Sequence, residues 1–472
     1  MFRSRRLDWR AMSPFARLPG LAAASLDAIA AALASVSPLN QAGYRIAVTG
    51  LQRSGKTVFV TSFVHALLHA KNAPVEAFPF FPWRERVREV DLLDIPGLPP
   101  FPYRERLADL LADPPRWPEP TEGLSGVRVR LRLAPPARLD RRLLEPRTLH
   151  IDLIDYPGEW LLDLPLLSLD YEAWSAEMEE LANAGKRSAL SAPWRALAEA
   201  LDPTAKEDRF ALANIGSAYV DYLKRCRLEG LSFLQPGRFL GGGAPLETLF
   251  FPLSRARSSR AGTNGAALVR RYEAYRRLVR RFYDQVFGRL RRQVLLVDLL
   301  TALQQGQESF ADLALATRTV VEAFEDLRHP LARVLPIGRL DRLALVATKA
   351  DHITSSQLNN LVGLLRDMLG EPFVRANARQ SGLLAIASVR ATAQVTRLWQ
   401  GEAMQFLRGV PRGRSDAVEL RPGEIPGQIP DRGSWPGFVF NIRDFEPPRL
   451  GAPFEKPLPH INLDKVLQSL IA

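Results

Sequence analysis

The sequence predicts an α/β protein: a doubly wound, mostly parallel six-stranded sheet, interrupted by a large helical insertion and followed by a small C-terminal appendage. Three observations lead there. Short apolar runs recur along the 472 residues, and several end in loops rich in Gly, Asp or Ser. Helix-patterned stretches separate them, as the crossovers of a parallel sheet require. The interval from Glu159 to Arg292 is far longer than a βα connection, and a structureless loop of that length is implausible in a compact domain.

Strands are expected at 45–49, 127–133, 149–154, 294–299, 343–347 and 384–387, with the second antiparallel. In such sheets ligands lie outside the carboxyl ends of the strands. After the first strand comes Gly50-Leu51-Gln52-Arg53-Ser54-Gly55-Lys56-Thr57, a complete G-x-x-x-x-G-K-[ST] phosphate loop, and 58–68 reads as a buried helix. That setting gives the motif its meaning. Backbone N–H groups from Gly50 through Val58 curl around phosphates at the positive end of a helix, Lys56 reaches the β- and γ-phosphates, and Thr57 holds Mg²⁺.

A metal-facing carboxylate followed by a γ-phosphate-sensing glycine should close another strand. Asp155-Tyr156-Pro157-Gly158 follows the strand-like 149–154, and the alternating run 127–133 forms a hairpin with it. Asp94-Ile95-Pro96-Gly97 competes, but Leu98-Pro99-Pro100-Phe101-Pro102 cannot begin an ordinary helix. Asp155 is therefore the expected metal residue and Asp94 a loop residue. The hydroxyl that closes over the metal should precede the 127–133 strand, with Thr121 the first choice and Ser125 the second.

The base-reading element is Thr348-Lys349-Ala350-Asp351, at the end of the buried run 343–347. The Asp351 carboxylate can accept both donors on one edge of guanine while the Lys349 stem lies along the base, and adenine offers no such pair of donors. A site built on polar partners rejects the analogue lacking them by roughly 10⁴-fold. Ser388-Val389-Arg390 follows the last strand, where a backbone N–H can meet the guanine oxygen. The ligands expected are GTP or GDP with Mg²⁺.

With these motifs in order, the chain resembles the YcjX-like family of P-loop GTPases, bacterial proteins linked to stress responses. The resemblance is carried by the phosphate loop, by Asp155-Tyr156-Pro157-Gly158-Glu159-Trp160, and by Thr348-Lys349-Ala350-Asp351. Two further runs carry it: Ser232-Phe233-Leu234-Gln235-Pro236-Gly237-Arg238-Phe239 and Leu458-Pro459-His460-Ile461-Asn462-Leu463-Asp464-Lys465. It implies a GTP-binding switch with slow hydrolysis, a stress-response setting and a protein effector, with a membrane protein among the candidates. Gln52 and Glu159 stand where small Ras-like proteins commonly carry Gly and a water-orienting Gln. The catalytic candidates beside Lys56 are thus Glu159 to orient or deprotonate water, Gln52, and Arg53 as a cationic stabiliser. A helix-start carboxylate and a solvated loop cation are the plain readings of Glu159 and Arg53.

One cysteine, Cys226, excludes an intramolecular disulfide and fits a reducing compartment, so a cytoplasmic location is expected. No run approaches the roughly 18 apolar residues of a membrane span. The net charge of +12 reflects compositional bias, an anionic membrane surface or nucleic acid. Nucleic acid is disfavoured because no zinc-ligand set, RNA-recognition aromatic motif or basic tail is present. A peripheral membrane contact is supported by the first 18 residues, which interleave Phe2, Leu7, Trp9, Met12, Phe15 and Leu18 with five arginines.

The expected organisation is a basic, helical N-terminal segment (1–40), a first part of the core (41–160) with an enlarged, Pro-rich switch region (71–126), a helical insertion (161–292), a second part of the core (293–391), and a Gly/Pro-rich appendage ending in a helix (392–472). Within the insertion Leu268, Tyr272, Tyr275, Val279, Phe282 and Val286 define one apolar stripe, and the arginines between them are read as surface. His65 and His69 stand four apart with no third ligand, which reads as packing rather than a metal site. Two other readings stay in view: a nucleotide-stabilised scaffold with little turnover, and a kinase-type transferase, for which no acceptor pocket is evident.

Overall fold

A computed structural model of the chain describes residues 41–51, 53–120, 123–135, 147–241, 245–256, 260–326, 340–370, 374, 381–399, 401–431, 433–435 and 440–471. The basic N-terminal segment, Gln52 and Thr121 lie outside them. The described chain divides into two compact units, one formed by Glu159–Arg289 and the other by the residues up to Gly158 together with those from Leu290 on.

The second unit is built on a sheet of seven strands, not six. They are β1 (Gln41–Gly50), β2 (Val87–Leu93), β3 (Ser125–Leu133), β4 (Thr148–Asp155), β5 (Arg292–Val297), β6 (Arg342–Ala347) and β7 (Ser381–Ala385), in the order β2-β3-β4-β1-β5-β6-β7. Strands β4, β1, β5, β6 and β7 run parallel, while β3 and β2 are antiparallel additions at one edge. A separate antiparallel sheet contains β8 (Ala393–Trp399), β9 (Glu402–Gly409) and β10 (Val418–Leu420).

The unexpected strand is β2, inside the stretch read as a switch region. It is an edge strand whose burial does not alternate cleanly, so it lacks the apolar period by which strands are recognised. Its register comes from charge. Asp91 and Glu89 lie opposite Arg130 and Arg132 of β3, with ion pairs at 2.9 Å in each case. On the other side of β3, Arg128 grips Asp152 of β4 with two bonds of 2.6 and 2.8 Å. Val127, Val129, Leu131 and Leu133 point the opposite way into the core. Much of this strand's positive charge is therefore matched within the sheet.

Helix α1 (Lys56–His69) follows β1 and sends Phe59, Val60, Phe63, Val64 and Leu67 into the main core, and α2 (Tyr103–Leu111) lies against α1. In the first unit α3 (Tyr171–Ala182), α4 (Gly185–Ala200), α5 (Arg209–Leu228) and α6 (Asn264–Gln285) make a helical body. Asp170, Asp208 and Thr263 cap α3, α5 and α6 by accepting first-turn N–H groups. The six apolar positions of the α6 stripe are all buried. Arg271 departs from the surface reading: it is buried and donates to the Leu249 carbonyl at 2.8 Å.

After β5 come α7 (Leu299–Gln305), α8 (Gln307–Asp326), α9 (Leu358–Leu369) and α10 (Leu463–Ile471). Helix α10 packs on β6 and β7 and buries Leu463, Val466, Leu467 and Leu470 in the same core as α1. Among the described residues, no helix is long and apolar enough to cross a membrane.

Candidate functional site

The phosphate loop is shaped by contacts that only small residues permit. A Cβ on Gly50 would sit 2.2 Å from Ser54 Oγ, and Gly55 enters α1 at φ +76° with nothing within 4 Å of where its Cβ would lie. That open face lies beside the N–H groups at the start of α1, and unpaired N–H groups at a helix start favour an anion. Ser54 is buried and its N–H donates to Leu51 O at 3.2 Å, which tightens the turn, whereas Arg53 is exposed and left-handed at φ +60°. The half-buried Val58 packs toward Leu110, Val389 and Leu458, so its side chain serves the core.

Strands β1 and β4 are neighbours, and their ends bring the two key charges together. Lys56 Nζ lies 2.5 Å from Asp155 Oδ1, and Asp155 is 1% exposed. Asp94 lies exposed in the loop after β2. Beyond Asp155 the chain is stitched to the sheet: Tyr156 N–H donates to Val48 O at 3.3 Å and its hydroxyl donates to Gln293 Oε1 at 2.6 Å. Burial drives the Tyr156 pKa far above its usual value, which keeps that hydroxyl a donor. Gly158 then passes the phosphate loop so closely that a Cβ would meet Gly50 O at 2.4 Å.

Thr121, the first-choice hydroxyl, cannot be placed among these groups. Ser125 can. It opens β3 directly opposite Asp155 in the register, it is buried, and its Oγ has no hydrogen-bond partner among the described residues. A buried hydroxyl without a partner is costly unless something else meets it. Thr57, Asp155 and Ser125 are all buried and all carry oxygen donors, the donor type that hard divalent cations take.

Glu159 belongs to the insertion unit. Its Oε1 lies 3.7 Å from Arg227, and its carbonyl is covered by Gly237, where a Cβ would sit 2.0 Å away. Asp163, completely buried, accepts from Gly237 N at 2.8 Å and from the Tyr275 hydroxyl at 2.5 Å, and pairs with Arg238 at 3.4 Å. The Arg238 guanidinium lies over the rings of Trp160 and Phe282, 4.9 and 4.8 Å from their centres, while the two rings meet edge to face at 5.4 Å. The runs 155–160 and 232–239 thus meet through Glu159 and Trp160 on one side and Gly237 and Arg238 on the other.

The base-reading loops come together across β6 and β7. Thr348 N–H donates to Val297 O at 3.0 Å, and Ala350 N–H donates to Ile386 O at 2.9 Å. Asp351 is buried, and its Oδ2 accepts from Ala391 N at 2.8 Å, which fixes the carboxylate. Ser388 O accepts from Ser62 of α1 at 2.5 Å, so the helix that begins at the phosphate loop also anchors the Ser388-Val389-Arg390 loop. The Arg390 N–H is committed to Pro459 O at 2.6 Å. Lys349 adopts φ +60° and its ammonium contacts Asp298 and Asp444 at 2.8 and 3.2 Å. Neither acid stands out in the sequence. Asp298 closes a buried run, a recoverable signal, whereas Asp444 lies in irregular chain.

Among the described residues no group of three or more His, Cys, Asp or Glu is placed to hold a metal ion. His65 Nε2 donates to Lys456 O at 2.9 Å and Nδ1 accepts from the Tyr103 hydroxyl at 2.8 Å. The carbonyl can only accept, which sets the tautomer.

The fold defines a mostly parallel α/β protein with the 50–57 and 348–351 loops at the carboxyl ends of its strands. A family model described as YcjX-like family, DUF463, matches residues 44–472. Ras-like GTPase YcjX of Escherichia coli is 39% identical over 451 residues, covering 90% of this chain and 95% of the relative. Ras-like GTPase YcjX of Shewanella oneidensis is 32% identical over 455 residues, covering 90% and 93%. The chain belongs to the YcjX-like family.

Proposed function

We propose that the protein binds GTP with Mg²⁺, hydrolyses it slowly to GDP, and acts as a nucleotide-dependent switch on a protein partner. The observation that carries this reading is the meeting of Lys56 and Asp155 at 2.5 Å, with Gly158 packed on Gly50. It is supported by the GTPase name of the two relatives. Lys56 would turn from Asp155 to the β- and γ-phosphates, while loop N–H groups from Gly50 to Val58 hold the phosphate oxygens. Thr57, Asp155 and either Thr121 or Ser125 would hold Mg²⁺, which neutralises charge developing on the phosphate oxygens. Asp351 reads the guanine edge, Thr348 supports its loop, and Ser388 or Val389 offers an N–H to the guanine oxygen.

Positioning of the attacking water is the weak part of this machinery. Glu159 is turned toward Arg227 and Arg53 is exposed, and single-turnover hydrolysis by Glu159→Ala and Gln52→Ala assigns the water-positioning role to whichever change slows it. The Arg227 contact favours slow turnover, and it is the observation that keeps the scaffold reading alive. A stress-linked role, a membrane-protein effector and peripheral attachment to an anionic membrane from the cytoplasmic side complete the proposal; nucleic acid is not among the partners proposed.

Calorimetric titration tests the binding part. GTP and GDP should bind and ATP should not compete, and Lys56→Ala should lose GTP. ATP binding as tight as GTP binding sinks the guanine assignment.

A further inference from the structure

Lys349 has three N–H donors, and three oxygens receive them: Asp298 Oδ2 at 2.8 Å, Thr301 Oγ1 at 3.0 Å and Asp444 Oδ1 at 3.2 Å. The ammonium is fully committed, so what it leaves for a ligand is its four-carbon stem. The backbone beneath it is left-handed, a conformation that a residue with a Cβ adopts only when its surroundings hold it. Asp298 and Thr301 belong to the α7 N-terminus, where Asp298 also caps the helix through Thr301 N–H at 3.0 Å. Asp444 comes from elsewhere, a strap of residues 441–446 near the end of the chain.

That strap is held independently of Lys349. The Ile442 N–H donates to Gln304 Oε1 at 3.1 Å, Asp444 O accepts from Arg412 N at 2.9 Å, and Glu446 N–H donates to Val410 O at 2.8 Å. Phe445 lies over Gly409, where a Cβ would come within 2.8 Å of the ring, and meets His352 edge-on at 5.2 Å. Phe445 O accepts from Trp117 Nε1 at 2.7 Å, which ties the strap to the stretch leading to Ser125. Burial alone would lower the Lys349 pKa, but Asp298 and Asp444 outweigh it and raise it, so the cation persists.

We propose that the 441–446 strap is part of the guanine site and that Asp444 is a positioning residue, which with Asp298 tethers the Lys349 ammonium so that the lysine stem lies flat against the purine. The inference rests on the guanine reading above and goes beyond it, because it assigns base retention to a segment outside the sheet. The side chain of Asp444 is half exposed, and when it is removed Lys349 keeps Asp298 and Thr301 as partners.

The test is a double-mutant cycle on the full chain, with dissociation constants for GDP, ADP and inosine diphosphate. Asp444→Ala should weaken GDP about two- to fivefold, within the range for a partly exposed ion pair. It should weaken inosine diphosphate by the same factor, because Asp351 and not the strap reads the exocyclic amine. Asp444→Glu should restore part of the loss. In a Lys349→Ala background, Asp444→Ala should change GDP affinity by less than about twofold. An equal loss in both backgrounds, or no loss in the first, overturns the proposal while leaving the guanine reading intact. Equal binding of GDP and ADP by the unaltered chain overturns that reading, and the proposal with it.

Discussion

At the scale of single residues, the phosphate site depends on what glycine lacks. An alanine at Gly158 would press its Cβ against Gly50 O and C at 2.4 and 2.7 Å, backbone against backbone, with no side chain able to yield. Overpacking of this kind costs about 1–3 kcal/mol, so Gly158→Ala should weaken GTP binding about tenfold or more in calorimetry. The same scale offers a pH prediction. Burial, and then the neighbouring His69, lower the His65 pKa to about 4, against 6.5 in the unfolded chain. Between those values the unfolded state takes a proton that the folded state refuses. Stability is therefore full above pH 6.5 and falls as the pH drops toward 4, by roughly 3 kcal/mol at most from this group. Melting curves of the protein and of His65→Asn should converge across that window. A variant with an undiminished acid slope excludes His65 as the cause.

At the scale of elements, the segment after Gly158 is embedded in the insertion through the Asp163, Arg238 and Tyr275 cluster. Removing one partner of a buried ion pair typically costs about 3–5 kcal/mol because the other charge is stranded. Asp163 keeps its bonds from Gly237 and Tyr275, so the lower end applies. Arg238→Ala should lower unfolding stability by about 3 kcal/mol in a denaturant titration, and an unchanged midpoint would show the cluster to be energetically neutral. Elements also explain what the sequence could and could not reveal. Strands β1, β4, β5 and β6 carry buried runs and were legible, as was the α6 stripe, because each has a period of its own. Strand β2 was not, since ion pairs with β3 rather than apolar alternation specify it. Arg271 reads as surface because an arginine beside Arg270 gives no sign that the Leu249 carbonyl awaits it inside. The base site was legible in Thr348, Lys349 and Asp351 but not in Asp444, whose partner is 95 residues away in irregular chain.

At the scale of the whole molecule, the pairs that Arg128, Arg130 and Arg132 make with acids of the sheet already cancel in the net charge of +12, so the uncompensated positive charge lies on other residues. Membrane attachment by the proposed route rests on residues 1–18. Deleting them should reduce sedimentation with anionic vesicles, as should added salt, since exposed charges are screened over about 8 Å at physiological ionic strength. Equal recovery of both forms with anionic vesicles removes that part of the proposal.

The central claim is that the loops gathered at the carboxyl ends of the strands bind and hydrolyse GTP, and phosphate release under multiple turnover with Mg²⁺ tests it most directly. Slow release is expected from GTP, on the order of 10⁻⁴ s⁻¹ as for small GTPases acting without an inserted arginine. None is expected from ATP, and none from GTP with Lys56→Ala. Equal release from ATP, release that survives Lys56→Ala, or no release from GTP in the presence of cell extract would contradict the account.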